Sequence, residues 1–153
     1  MSVTVDLLAA QPFFAGVSHD ELAGLAAATS SIEVAAGDFL ARSGEAADHL
    51  YAVVSGRAGI EIAATGREPI VVATVHAGEI VGWSWFVAPF RWRFDVVAMD
   101  AVQALAVDAV ALRAAFAADH ELGYRLAQRL VTVMAARLDA TRLQLVDVYG
   151  TPR

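Results

Sequence analysis

The sequence predicts an α+β fold, mainly β: a β-roll of the jelly-roll type (a double-stranded β-helix), flanked by N-terminal helices and a long C-terminal helix suited to dimerisation. Short apolar runs alternate with glycines between residues 32 and 107, whereas helical periodicity precedes and follows that region. Because 153 residues is the size of one domain, we expect a single domain over 1–153. Its roll should occupy about 31–108 and its C-terminal helices about 109–148.

The N-terminal region predicts two helical segments. Ser18 and Glu21 have the spacing of a capping box, and apolar residues follow at helical period from Leu22. A helix is therefore expected over about 18–28, preceded by a shorter helical piece around 6–10.

The middle of the chain predicts a sandwich or barrel of short strands. Glycines fall between the apolar runs, where the backbone must reverse, and strands of such regular spacing are typical of all-β folds. The expected strands are Phe39–Leu40, Leu50–Val54, Ile60–Ala63, Ile70–Val75, Ile80–Val81, Val96–Met99 and Leu105–Val107, with turns at Gly37, Gly44, Gly56, Gly66 and Gly78.

Two helices are expected after the strands. Asp108 is a suitable N-cap for an alanine-rich helix over 109–118, and Asp119 is one for a longer helix to about Val148. The longer helix has two apolar faces, which implies two packing partners. One face would dock on the roll, and the other, a coiled-coil seam, would pair with a second copy of the chain; a single wide face packed within one chain is the alternative. The docking face is Leu122, Leu126, Leu130 and Val133, and the seam is Tyr124, Ala127, Val131, Met134, Leu138, Thr141, Leu145 and Val148.

The tryptophan-rich segment, residues 82–95, is the most unusual feature of the composition. It holds all three tryptophans, Arg91, Arg93 and nearly half of the aromatic side chains. Aromatic faces beside guanidinium groups suit a flat anionic ligand. A hydrophobic plug that fills the roll explains the same composition equally well.

Bulk composition argues against several classes of function. With a net charge of −6 and no lysine, the chain lacks the basic surface that binds nucleic acid. It has no cysteine, its four histidines lack metal-ligand spacing, and no serine lies in a nucleophile motif. We expect no enzyme activity, no metal and no cofactor apart from a possible nucleotide ligand. The sequence shows no secretory signal or membrane span, so a cytoplasmic location is expected.

The order of elements resembles the cyclic nucleotide-binding domain family, and most closely the sensory half of regulators of the catabolite activator protein type. The likeness runs from about Pro12 to Val148 and is carried by the motif Gly78-Glu79-Ile80-Val81-Gly82, then by Val96-Val97-Ala98. It implies a phosphate-binding cassette of a short helix and a loop, whose free N–H groups hold a cyclic phosphate. Gly82 stands where the family has the glycine that lets the backbone approach the ligand.

The polar anchors of that family are replaced here. Trp83 stands where the family has a glutamate for the ribose 2′-hydroxyl, and Trp92 stands where an arginine holds the phosphate. A neutral indole cannot replace charge-assisted hydrogen bonds worth about 1.5–3 kcal/mol each. A shift of one residue in the loop would return Arg91 or Arg93 to the anionic position.

Three further positions complete the candidate site. Asp95 occupies a position where the family often has a ligand-facing threonine; its carboxylate would repel a phosphate, and pairing with Arg91 or Arg93 would make a self-plugged site. Thr141 matches the helix residue that touches the base, or it is a polar seam residue that sets register. Arg142 follows it, at a position where the family often has a serine. The candidate ligand-binding residues are Gly82, Trp83, Ser84, Trp85, Arg91, Trp92, Arg93, Asp95, Thr141 and Arg142.

Three functions follow from these residues. The first is a non-enzymatic, homodimeric ligand sensor with an altered pocket, which binds a nucleotide-like or other anionic small molecule rather than cAMP in the usual mode. The second is a ligand-free protein-interaction subunit with a self-plugged cassette, and the third is an ordinary cAMP receptor. The sequence ends at residues 150–153, shortly after the long helix, so we expect no helix-turn-helix and no DNA partner.

Overall fold

The computed structural model describes residues 5–149, and side chains as far as residue 147. The side chain of Val148 and residues 150–153 therefore lie outside the described part. The elements are α1 (Val5–Ala9), a 3₁₀ helix (Pro12–Phe14), α2 (His19–Ala27), β1 (Thr29–Val34), β2 (Phe39–Ala41), β3 (His49–Ser55), β4 (Ala58–Ala64), β5 (Arg67–Val75), β6 (Ile80–Val81), β7 (Asp95–Ala98), β8 (Val102–Asp108), α3 (Ala109–Ala118) and α4 (His120–Tyr149).

Two four-stranded antiparallel sheets form the roll and confirm the expected fold class. One has the strand order β1-β8-β3-β6 and the other β2-β7-β4-β5. The central strands contribute fully buried residues to the core, such as Leu50 in β3, Val96 in β7 and Leu105 in β8. The core continues beneath the helices through Leu112 and Leu126, so the sheets and helices share one hydrophobic interior.

The turn chemistry expected from the sequence is present. The Ser18 hydroxyl accepts a hydrogen bond from the Glu21 N–H at 3.2 Å and caps α2. All five turn glycines have positive φ. The requirement for glycine is strictest at position 56, where a Cβ would overlap the main-chain oxygen of Ala101.

Strand β1 is the one strand that the apolar runs do not mark. Its residues are half-buried or exposed, because it lies at the edge of its sheet and pairs only with β8. An edge strand with this little burial lacks the apolar alternation on which strand prediction depends.

The two C-terminal helices begin at the expected caps. The Asp108 carboxylate accepts from the Ala111 N–H at 2.9 Å, and the Asp119 carboxylate accepts from the N–H groups of Glu121 and Leu122 at 3.1 and 3.2 Å. None of the helices in residues 5–149 combines the length and apolar character needed to cross a membrane.

The two faces of α4 have different environments. Leu122, Leu126 and Leu130 are at most 3% exposed, which confirms that this face docks on the body of the chain. Most of the seam face is open to solvent, with exposed fractions of 66% at Tyr124, 62% at Val131, 52% at Leu138 and 57% at Leu145. Ala127 and Met134 are half-buried, and Met134 packs against the core.

Long polar side chains also tie α4 to the body of the chain. Nη1 of Arg125 donates to the Gly16 carbonyl at 3.2 Å, and Nη1 of Arg129 donates to the Phe13 carbonyl at 2.8 Å. Further along, Arg137 Nη2 donates to the Ile80 carbonyl and Gln144 Nε2 to the Val71 carbonyl. The second half of α4 is thus held mainly by polar contacts.

Candidate functional site

The tryptophan-rich segment connects β6 to β7 without forming a helix. Residues 82–94 make bends and turns, with Phe86 N–H donating to the Trp83 carbonyl at 3.0 Å and Phe90 N–H to the Val87 carbonyl at 2.9 Å. The short cassette helix that the resemblance implies is therefore wrong for this chain. Its large side chains pack in different directions, and Phe90 adopts a left-handed φ of 59° that interrupts helical geometry.

Trp92 occupies the space directly above Gly82. Gly82 has a φ of +82°, and a Cβ built on it would overlap Cζ3 of Trp92 and lie 3.0 Å from Cη2. The indole is 4% exposed and stacks on Tyr51 of β3, with ring centroids 6.0 Å apart and an interplanar angle of 18°. The close approach that glycine permits is used by this chain's own indole.

The backbone around Trp92 is fixed on both sides. Its N–H donates to the Glu45 carbonyl at 2.9 Å, and its carbonyl accepts from the Gly44 N–H at 2.8 Å. Ala47 N–H donates to the Phe90 carbonyl at 2.8 Å, which extends this short pairing. Since the β2–β3 loop holds the residue in register, the indole itself, and neither neighbouring arginine, faces the interior.

Trp85 and Ser84 belong to the core. Trp85 is fully buried, its ring meets Phe116 of α3 edge-on at 5.9 Å, and its Nε1 donates to the Gly82 carbonyl at 3.2 Å. Ser84 is also fully buried, and its hydroxyl has no hydrogen-bond partner. These two residues anchor the segment to the fold.

Trp83, Arg91 and Arg93 lie toward the surface. Trp83 is half-buried, with the Arg93 guanidinium 5.0 Å from its ring centroid. Arg91 and Arg93 are exposed and donate to the carbonyls of Gly44 at 2.9 Å and Ala88 at 3.4 Å. This outer edge of the segment presents a cation beside an aromatic face.

Asp95 does not pair with either arginine, so the ion pair that would have made the site self-neutralised is not formed. Its Oδ1 accepts a hydrogen bond from the Ser43 N–H at 2.8 Å. The physical reason is that Arg91 and Arg93 donate to the main-chain carbonyls of Gly44 and Ala88, whereas the Asp95 carboxylate accepts from a main-chain N–H of the β2–β3 loop.

Tyr51, on which Trp92 stacks, is half-buried and is influenced by two neighbouring carboxylates. Burial raises the pKa of the Tyr51 phenol, and the carboxylates of Asp48 and Glu45 raise it further. A phosphate placed above Tyr51 would face the same two carboxylates.

Arg113 is a residue of this site that the sequence did not reveal. Its Nη1 donates to the Trp85 carbonyl at 2.6 Å, and its guanidinium lies 4.2 Å from the ring centroid of Phe90. It is the only charged residue in α3, which is the signal that could have drawn attention to it.

Thr141 and Arg142 do not approach the tryptophan-rich segment. Both are exposed, and the Thr141 hydroxyl donates to the Arg137 carbonyl of its own helix at 2.8 Å. In this arrangement neither side chain covers the candidate pocket, and Thr141 satisfies its own polar group on the seam.

A family model for the cyclic nucleotide-binding domain matches residues 31–119, which run from β1 to the end of α3. The chain belongs to this family. Its members are regulatory domains, and the match contains the whole tryptophan-rich segment.

Solved structures show the same fold. A cyclic nucleotide-binding protein from Geobacter metallireducens superposes with a TM-score of 0.78 at 20% identity, over 89% of this chain and 98% of that one. The sensor domain of the transcriptional regulator DNR from Pseudomonas aeruginosa gives 0.74 at 19% identity, over 88% and 90%. A mutant regulatory subunit of a cAMP-independent protein kinase A from Trypanosoma brucei, bound to cAMP in its A site, gives 0.72 at 22% identity, over 94% and 50%. No curated protein matches the chain by sequence.

Proposed function

We propose that this protein is a non-enzymatic regulatory domain of the cyclic nucleotide-binding family whose cassette is closed by its own Trp92. The observation that carries the proposal is the indole packed on Gly82 and stacked on Tyr51. A ring in this position excludes a ligand that approaches the Gly82 backbone. Because the neighbouring carboxylates also oppose an anion, the domain does not bind cAMP in the family's usual mode.

The Trypanosoma brucei protein is a useful parallel. That subunit is described as cAMP-independent, and a variant of it that carries three substitutions, one of which introduces an arginine, is bound to cAMP. The corresponding idea for this chain is that polar anchors, rather than the roll itself, decide whether cyclic nucleotide binds.

Titration calorimetry with cAMP and cGMP tests the closed cassette. We expect no binding by the unaltered protein at millimolar nucleotide. The double variant Trp83→Glu, Trp92→Arg supplies both missing anchors and opens the space, so a gain of about 10²–10⁴-fold in affinity is expected from two charge-assisted hydrogen bonds. The matched control, Trp83→Gln with Trp92→Leu, opens the space without charge and should not bind. Micromolar binding of cAMP by the unaltered protein would contradict the proposal.

We further propose that the seam of α4 pairs with a second copy of the chain. Its support is the 3-4 spacing together with the exposure of Val131 and Leu138 on the face opposite the docked leucines. Light scattering should give twice the mass of one chain, and Leu138→Glu should give the mass of a monomer. Leu143→Glu is the matched control, since Leu143 is 66% exposed but lies off the seam. A monomeric unaltered protein would overturn this proposal.

A second candidate function is binding of an anionic small molecule at the outer edge of the segment. Its support is the pair of Trp83 and Arg93, which presents an indole and a guanidinium near the surface. Under this alternative, Arg93→Ala would abolish binding of a nucleotide that quenches Trp83 fluorescence.

A further inference from the structure

A cavity lies beneath α4. It is bordered by the 3₁₀ helix, the end of β5, the β5–β6 turn and α4, and its volume is about 540 Å³. Cavities of roughly 300–1,000 Å³ are the usual size for small-molecule sites. No residue of the tryptophan-rich segment lines it.

The walls of this cavity are mainly apolar. They are formed by aromatic, branched and small side chains from the bordering elements, so that a ligand with an apolar body would remove apolar surface from water there. The apolar wall residues are Phe13, Ile80, Val133, Ala136 and Ala140.

Two arginines and one carboxylate supply its charge. Arg129 and Arg137 line the cavity together with Glu79, which leaves one excess positive charge. The Glu79 carboxylate already accepts a hydrogen bond from the His76 N–H at 2.7 Å. Arg129 is likewise engaged with the Phe13 carbonyl.

Arg137 is the polar group that lacks a full set of partners. Its Nη2 donates to the Ile80 carbonyl, but its Nη1 is buried and has no hydrogen-bond partner. Burial lowers the pKa of this guanidinium, although the Glu79 carboxylate opposes that shift. A buried donor on a cation is costly when it is unpaired, so an anionic acceptor in the cavity would be stabilised there.

We propose that this cavity binds a small amphipathic anion, whose carboxylate or sulfonate is held by Arg137 and whose apolar body fills the space between β5–β6 and α4. The site shares Gly78, Glu79 and Ile80 with the motif that leads into the cassette, but it includes no residue of the tryptophan-rich segment and does not depend on whether Trp92 closes the cassette.

The location gives such a ligand a direct effect on α4. The buried leucines of α4 end at Leu130, and the cavity lies under the following turns of the helix, at Val133 to Ala140. At 100° per residue, Val131 and Leu138 are about 160° around the helix from Val133 and Ala140 respectively. A ligand in the cavity would therefore contact α4 on the face that lies nearly opposite the seam.

Fluorescence titration with 8-anilinonaphthalene-1-sulfonate tests the site, because this probe joins a sulfonate to an apolar body. We expect saturable binding of one probe per chain. Arg137→Gln should weaken it about 10–100-fold, the effect of losing a charge-assisted hydrogen bond. The same substitution should change the affinity for the neutral probe N-phenyl-1-naphthylamine by less than about twofold, because that probe carries no charge for Arg137 to bind. Ala136→Phe should abolish binding of both probes by filling the cavity while Arg137 remains.

Two controls separate this cavity from other sites on α4. Arg142→Gln removes an exposed guanidinium of the same helix, and Leu138→Glu alters the seam; both should leave the affinity for the sulfonate unchanged. Circular dichroism identifies any variant that fails to fold. If Arg137→Gln fails to fold, Ala136→Phe decides whether the cavity is the binding site. The proposal is overturned if the unaltered protein does not bind the sulfonate, or if Ala136→Phe leaves binding unaffected. It is also overturned if a folded Arg137→Gln variant weakens both probes equally, or if Leu138→Glu abolishes binding.

Discussion

Replacing Trp92 with alanine is expected to lower the free energy of unfolding by about 3–5 kcal/mol, the usual effect of truncating a buried aromatic side chain. The indole is 4% exposed and contacts Gly82, Tyr51 and Phe94, so its removal leaves a cavity in the roll. Urea denaturation followed by circular dichroism measures the change.

Trp83→Ala is the matched control, because Trp83 lies in the same segment but is only half-buried. The decrease in the free energy of unfolding caused by Trp83→Ala should be clearly smaller, since truncation of a half-buried side chain removes less buried apolar surface. If Trp92→Ala were no more damaging than Trp83→Ala, Trp92 would not be the residue that closes the cassette.

Gly82→Ala is expected to be nearly as damaging, for two separable reasons. The φ of +82° disfavours any residue with a Cβ by about 1–2 kcal/mol. In addition, the new Cβ would overlap the Trp92 ring, which has little room to move because it stacks on Tyr51. Overpacking of this kind adds about 1–3 kcal/mol.

A double-mutant cycle separates the two contributions. In the Trp92→Ala background the overlap disappears, so Gly82→Ala should then cost only the backbone term of about 1–2 kcal/mol. Gly37→Ala provides that term independently, since Gly37 has a φ of +90° and no atom within 4 Å of its virtual Cβ. Simple additivity of the Gly82 and Trp92 substitutions would mean that the indole does not rest on the glycine.

The elements with strong local signals were predictable from the sequence. Capping side chains at Ser18, Asp108 and Asp119 fixed the starts of three helices, and glycines fixed the turns, because these residues act on the backbone next to them. Strand β1 was not predicted, since its position at a sheet edge leaves little apolar pattern.

The candidate site was only partly predictable. Sequence reasoning singled out Gly82 and Trp92 but left open whether the indole points inward. That orientation depends on hydrogen bonds between Trp92 and the loop at Gly44 and Glu45, almost fifty residues away in the chain. The hydrogen-bond partners of Asp95 and Arg137 could not be predicted from the sequence either. Each partner is a main-chain group that only the tertiary structure brings close.

The attachment of α4 to the roll has a consequence for how the molecule tolerates change. Arg125, Arg129, Arg137 and Gln144 all donate to peptide oxygens. Every amino acid carries such an oxygen, so exchanging side chains on the accepting segments keeps the bond as long as the backbone path is preserved. As far as these four hydrogen bonds are concerned, substitution should consequently act mainly at the donors of the helix. Phe13 and Ile80 are sensitive for another reason, because their side chains are buried in the core.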